Sequence, residues 1–584
     1  MRARPGLLTG GAGMEGSASI AWTGQQIVAG SGAGPVLACE TGLSFWGGVD
    51  PDSGRIIDAH HPLRGQDLAG RVLVMPGSRG SCSGSGVLLA LALSGRAPAA
   101  LIFREAEETL TLGALVAGHV FGRPLPVVRL GAAAHARAAQ ADRLAVAEGR
   151  LTGPGISVPL HADSPGSLQL TAEERALLQG AAGPPVALAM EVLCRMAIAQ
   201  DARRLIAVRR GHIDGCILAH DANLIFAERM AGMGARVAVP TTINAISVDR
   251  AHWHAQGVPR DFGLRASRLA DAYVRMGAQP TFTCAPYLLD DPPGPGEPIG
   301  WSESNAVIHA NSVLGARTAK HPDYMDLFVA MTGRAPLTGI HTDAGRAPRR
   351  IIAVTAPAGI DDAFWPLLGW LAGRLSPDRV PLLTGLESLA PGPDDLKALC
   401  AGFGTTSGAP MLHVAGHTPE AGLPPAPDAD RCAIGPEALA AAWAELDGGA
   451  RRIDLVAIGS PHASLQECRR LDALLAGRRR HRATEVIVTL GRGVLAAARA
   501  EGLAARLARA GVRLIPDLCW CSITEPVFPP AARSVMTNSA KYAHYGPALT
   551  GRAIRFGGLA ACAEAALSGL APPGPPAWLR PGGG

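Results

Sequence analysis

The chain has 584 residues, 48% apolar and 18% charged, with a net charge of +5. That length calls for more than one hydrophobic core. So small a positive excess, with 4% aromatic residues, excludes a phosphate-tracking or base-stacking surface, so no nucleic-acid partner is expected. No run of about 18 uninterrupted apolar residues suggests a membrane span, and no leader of basic-then-apolar type opens the chain. A cytoplasmic protein is expected. Its eleven cysteines are scattered, and in a reducing compartment such cysteines are buried fillers or metal ligands.

In chain order, residues 42–54 form a glycine-punctuated turn carrying Phe45 and Trp46. Residues 72–75 then read as a buried strand and 87–93 as a helix. Between them runs Pro76-Gly-Ser-Arg-Gly-Ser-Cys-Ser-Gly-Ser-Gly86. Small residues there let backbone N–H groups converge where the helix adds its positive end, which suits an anion. Arg79 offers a forked donor for a carboxylate, and Ser81, Ser83 and Ser85 offer hydroxyls. The same residues also suit an ordinary N-capped turn. Neither nucleotide-binding glycine spacing is present.

Strands at 99–103 and 126–130 flank a helix at 110–120, an order that implies parallel pairing with right-handed crossovers. A small domain is therefore expected over residues 1–135, a linker over 136–168, a large domain over 169–571 and a disordered Gly/Pro tail over 572–584. Thr171, followed by Glu173 and Glu174, marks a helix start. Cys194 falls on an apolar helical stripe and reads as core. Strands at 205–208 and 235–239 precede the polar segments 209–214 and 240–245, and Cys284 follows another such strand. Strands at 351–355, 454–458, 485–489 and 512–515 alternate with Ala/Leu/Arg helices. The expected fold class is α/β, with doubly wound three-layer units and ligands at strand carboxyl ends.

Three polar clusters interrupt the apolar background: residues 301–318, 536–542 and 413–420. The third suits a structural turn; the first is poor core material unless it binds something. Cys284, the neighbours Cys519 and Cys521, and Cys562 lie on three separate segments, an arrangement compatible with an iron-sulfur cluster, although no C-x2-C pair is present.

Several long motifs occur in order: Gly42-Leu-Ser-Phe-Trp-Gly-Gly-Val-Asp-Pro51, the 76–81 turn, His212-Ile-Asp-Gly215, Val239-Pro-Thr-Thr-Ile-Asn244, Thr283-Cys-Ala-Pro-Tyr287, Glu303-Ser-Asn-Ala-Val307 running on to Thr318, and Met536-Thr-Asn-Ser-Ala-Lys-Tyr542. Together the sequence resembles the aconitase X family over nearly its whole length, with the small swivelling subunit fused ahead of the large one. The resemblance implies a hydro-lyase of the fused type, dehydrating cis-3-hydroxy-L-proline to 1-pyrroline-2-carboxylate at a 2Fe-2S cluster. Relatives built from two chains imply an alternative, dehydration of mevalonate 5-phosphate or of another hydroxy acid. A non-catalytic iron-sulfur sensor is the alternative of another class. Gly459-Ser460-Pro-His462 stands where some relatives carry Gly-Cys-Pro-His, which counts against a four-iron cluster with a ligand there.

The resemblance implies Ser81 as base with Arg79 beside it. It implies His212, Thr242, Asn244, Glu303, Ser304, Asn305, Arg317 and Lys541 as substrate contacts, and Cys284, Cys519 and Cys562 as metal ligands with Cys521 in reserve. The partner is a small hydroxy amino acid, and a monomer is expected because both subunits are joined.

Overall fold

The protein is described by a computed structural model covering residues 22–580. The N-terminal body is a closed barrel of eight strands: β1 (Gly24–Val28), β2 (Gly32–Ala38), β3 (Val72–Met75), β4 (Ala100–Phe103), β5 (Val127–Leu130), β6 (Arg143–Ala147), β7 (Arg150–Gly153) and β8 (Ile156–His161). Strands β2 to β5 pair in parallel, and β6 to β8 add antiparallel hairpins. Strands β3 and β4 are buried at every position, as apolar runs covered on both faces must be. Helix α1 (Gly84–Ser94) follows β3, α2 (Thr109–Phe121) follows β4 and α3 (Ala132–Ala139) follows β5.

The large body begins with α4 (Ala172–Leu178) and α5 (Pro184–Ala199). Its first unit has a parallel three-stranded sheet in the order β11-β10-β12, from β10 (Gly211–Ile213), β11 (Thr241–Ile243) and β12 (Gly300–Trp301). Helices α6 (Asp221–Gly232), α7 (Arg260–Arg275) and α8 (Ser304–His309) follow those strands, then α9 (Met325–Thr332). A short antiparallel pair joins β9 (Leu205–Ala207) to β13 (Arg334–Pro336), and α10 (Asp343–Arg346) leads out. The second unit has β14 (Arg350–Val354), β15 (Pro381–Thr384), β16 (His413–Val414) and β17 (Asp430–Ile434), with α11 (Phe364–Leu375), α12 (Pro393–Thr406) and α13 (Pro436–Leu446). In the third, β18 (Leu455–Ala463), β19 (Glu485–Leu490), β20 (Val512–Pro516), β21 (Ser534–Thr537) and β22 (Ala553–Phe556) form an all-parallel sheet in the order β20-β19-β18-β21-β22. Helices α14 (Leu465–Leu475), α15 (Arg492–Ala500), α16 (Leu503–Arg509), α17 (Ala540–Thr550) and α18 (Leu559–Ser568) complete it. This is the expected α/β class, with a small barrel set against repeated strand-helix units.

The two bodies share one core. Leu88, Leu91 and Leu115 of the barrel helices belong to the same buried apolar cluster as Ala189, Leu193 and Phe226 of the large body. That is why α1 is apolar on every side: the barrel packs on one flank and α6 on the other. The approach is close enough that a Cβ on Gly86 would lie 2.8 Å from the His220 ring.

Three expectations are corrected. Residues 136–168 are not a connector: β6 to β8 close the barrel. Their alternation of buried and exposed positions is masked in the sequence by abundant Ala and Gly. The strand expected at 235–239 forms instead at β11, inside the segment read as a polar turn. The expected disordered tail is anchored by Trp578 and Leu579, both buried, with Trp578 edge-on against Phe364 and Trp443; residues 581–584 lie outside the described residues. Thr171 caps α4 as expected, in a reciprocal box with Glu174, and Cys194 is core. No helix among the described residues is long and apolar enough to cross a membrane.

Candidate active site

A cavity of about 250 Å³ opens where the barrel meets the large body. Ser81, Cys82 and Ser83 line it from the barrel; Asp214, Glu303, Asp323, Cys521 and Lys541 line it from the large body. These residues follow the carboxyl ends of β3, β10, β12, β20 and β21, or start the next helix, which is where parallel sheets expose loop side chains.

The serine turn is held from both sides. The Ser83 N–H donates to Ser81 Oγ at 3.3 Å, and Ser85 Oγ donates to the carbonyls of Cys82 and Asp323, each at 3.1 Å. The second bond ties the barrel to the large body inside a buried interface. The N-terminus of α1 therefore faces the cavity with its partial positive charge.

Opposite, Cys284, Cys519 and Cys521 form one apolar cluster with Ala245 and hydrogen-bond through their thiols. Bonds from Cys284 and Cys521 hold Cys519 well below the ordinary thiol range against the cost of burial, with Lys541 and His462 helping. The His462 N–H donates to Cys284 Sγ at 3.3 Å. Three soft donors, one favouring the thiolate, beside a buried ammonium and a backbone N–H suit an iron-sulfur cluster.

The loops carrying these groups are strained. Phe282, Tyr324 and Asp517 have φ of 43°, 82° and 71°, sparsely populated for bulky side chains, and they flank Cys284, Asp323 and Cys519. Such strain persists only where surroundings enforce it. Here Asp517 is clamped by Arg492, whose guanidinium also lies 4.6 Å from the Phe282 ring centroid.

Glu303 sits at the centre. It accepts from Lys541 Nζ at 3.0 Å, Asn305 Nδ2 at 2.6 Å and Asn244 Nδ2 at 3.1 Å. Burial opposes its charge, but the Lys541 ammonium and these bonds outweigh burial and keep its pKa low. The acids beside it behave oppositely. Burial, then the charges of Glu303, Asp323 and Asp326, pushes Asp214 well above the carboxylate range. Burial lifts Asp323 to about 6 and Asp326 to about 7.

The cavity thus unites Ser81, Glu303, Ser304, Asn305 and Lys541, with Asn244 supporting Glu303. Five expected residues lie elsewhere. Arg79 is half exposed and pairs with Asp58 at 2.8 Å, outside the cavity lining. Arg317 donates to the His341 carbonyl at 2.9 Å and pairs with Asp343, bracing the link to the second unit. His212 and Thr242 bond each other at 2.7 Å within the sheet; full burial holds His212 at about 3, so it is neutral. Cys562 lies in the apolar core of the third unit with Val456 and Leu559, because α18 turns that face inward. Cys521 takes its place in the thiol group. The sequence reading missed Cys82, Asp214, Asp323 and Asp326. The available signal is two acids, Asp323 and Asp326, set three apart at the head of the apolar run of residues 327–331, and both are buried.

Models of the aconitase X domains match in sequence: the swivel domain over residues 21–152, the first over 167–344, the second over 348–444 and the third over 453–568. A cis-3-hydroxy-L-proline dehydratase of Pseudomonas aeruginosa is 51% identical, over 95% of this chain and 97% of its own. One from Hypocrea jecorina is 45% identical, over 94% and 95%. The crystal structure of Thermococcus kodakaraensis aconitase X in its holo-form superposes with a TM-score of 0.63 at 30% identity, covering 68% of this chain and all of that one. With all four domains present in one polypeptide and dehydratases this similar along its length, the chain belongs to the aconitase X family and is a hydro-lyase.

Proposed function

We propose that the protein dehydrates cis-3-hydroxy-L-proline to 1-pyrroline-2-carboxylate, with a cluster of 2Fe-2S type held by Cys284, Cys519 and Cys521. The observation that carries this reading is that Ser81 of the barrel and Cys521 and Lys541 of the large body line one cavity, in a chain half identical to a dehydratase of that name.

When bound, the cluster supplies an electron-poor iron that weakens the bond to the departing hydroxyl. The residues of this chain do the rest. Ser81 Oγ accepts the α-hydrogen. A serine hydroxyl is too weak an acid to be ionised alone, so its activation falls to the α1 N-terminus and the buried Lys541 charge. The same helix end stabilises negative charge gathering on the substrate carboxylate as the proton leaves. Asn305 and Asn244 orient Glu303, and Glu303 orients Lys541 at the cavity wall. The α-hydrogen and the C3 hydroxyl depart together as water, and the resulting enamine tautomerises to the cyclic imine without a redox step. Both catalytic halves are already joined, so the reading takes a single cytoplasmic chain as the working unit.

The test is conversion of cis-3-hydroxy-L-proline by protein purified without oxygen, with borohydride trapping the imine as proline. Substrate loss matched by proline after reduction is expected. A preparation with full visible cluster absorption and no conversion overturns the reading.

A further inference from the structure

Asp214, Asp323 and Cys82 bring one ligand atom each within 4.8 Å of one another on the cavity wall. Asp323 is 3% exposed and its Oδ1 has no hydrogen-bond partner. An unpaired carboxylate oxygen in a buried site is costly, and the cost is recovered when a donor arrives.

The charge balance says what kind of donor. Four carboxyl groups, those of Asp214, Glu303, Asp323 and Asp326, act on one another here. Two ammonium groups face them: Lys541, committed to Glu303, and Lys320, beside Cys82. Among the described residues neither forms an ion pair with Asp214, Asp323 or Asp326. Carboxyl groups therefore outnumber ammonium groups by two on this wall. The α1 N-terminus, suited to an anion, touches the same wall through Cys82 and Ser83. An α-amino acid carries its two opposite charges on one carbon, so it needs a cation-seeking and an anion-seeking surface in direct contact. A phosphorylated hydroxy acid would instead bring more negative charge to a wall already rich in it.

We infer that Asp323 and Asp214 form the subsite for the substrate's ring nitrogen, accepting its two N–H donors, and so select a secondary-amine α-amino acid. This rests on the proposed function in taking the cavity as the active site, and it adds which residues set the substrate class. A secondary ammonium has two N–H bonds, matching one acceptor oxygen from each aspartate. Charge-assisted bonds of this kind are the strong ones.

The test uses the holoenzyme and two probes of one shape, L-proline and (S)-tetrahydrofuran-2-carboxylate, which differ in carrying NH2+ or oxygen in the ring. Calorimetry should show proline bound at least about tenfold more tightly, the worth of one charge-assisted bond. Asp323→Asn should reduce that preference to within about twofold while keeping its affinity for the oxygen probe, which also reports an intact fold. Asp214→Asn is the second variant should Asp323→Asn not fold. Equal affinity of the native enzyme for both probes, no binding of proline, or a full preference surviving in the variants overturns the inference. Turnover separates the two claims: conversion of hydroxyproline without a proline preference removes the subsite alone. A preference without conversion removes the reaction and leaves the subsite.

Discussion

Arg492 grips Asp517 with two parallel bonds, Nε to Oδ1 at 2.6 Å and Nη2 to Oδ2 at 2.7 Å. Asp517 is fully buried at a left-handed position, and its carboxylate also takes the Arg250 N–H at 3.1 Å. This clamp fixes the backbone two residues ahead of Cys519. Arg492→Ala leaves a buried carboxylate short of its charged partner, and because Arg492 is partly exposed the cost is modest, about 2 kcal/mol. The expected outcome is a lower melting temperature with reduced iron per chain. Unchanged iron would show that the thiol loop does not need the clamp.

Ser81→Ala should lower kcat by about 10³-fold, the usual worth of a positioned base, and leave the visible absorption as it is. Single-turnover kinetics on the iron-loaded variant checks this. Near-normal turnover would hand the proton to another group.

Cys521→Ala and Cys562→Ala separate the two candidate third ligands. The first should bleach the absorption. The second should keep it and cost roughly 1 kcal/mol for the small void left in the third unit's core. Iron content and a denaturation curve on each variant suffice.

Binding should weaken in acid. Burial raises Asp323 to about 6, so the group is ionised above that pH and neutral below it. The substrate ammonium keeps its proton throughout. KM for hydroxyproline is therefore expected to rise as pH falls through about 6. Burial raises Asp326 as well, to about 7, and burial with the neighbouring carboxylates raises Asp214, so the loss sets in gradually. An Asp323→Asn enzyme should show a shallower rise. The same steepness in both would place the titration elsewhere.

Ending the chain after residue 571 removes Trp578 from its seat on Phe364 and Trp443. Burying one such ring is worth about 3 kcal/mol, and chemical denaturation of the truncated protein should show a loss of that size.

Much of the architecture was legible as pattern. Apolar runs at β3, β4, β19 and β20 are strands because nothing else buries four to six such residues between turns, and the Thr171 cap with Glu174 is a local bond. The turn at Ser81 and the cluster at Glu303 stood out because Ser, Asn and Glu are uneconomic in a core. The order of residues alone determined the α/β class, a small α/β domain ahead of a large body, and several of the polar positions that reach the cavity. It could not rank Cys521 over Cys562. Both follow apolar stretches, and which sulfur joins the Cys284–Cys519 pair depends on the direction a helix faces after the third sheet has formed. It could not show that Arg79 turns to Asp58 and Arg317 to Asp343, since a long charged side chain takes the nearest partner, and nearness across the chain exists only after folding. Nor could it reveal Asp214 and Asp323 as a pair: they lie on separate loops, and only the packing of α1 against the large body encloses them, strips away water and leaves one oxygen without a partner.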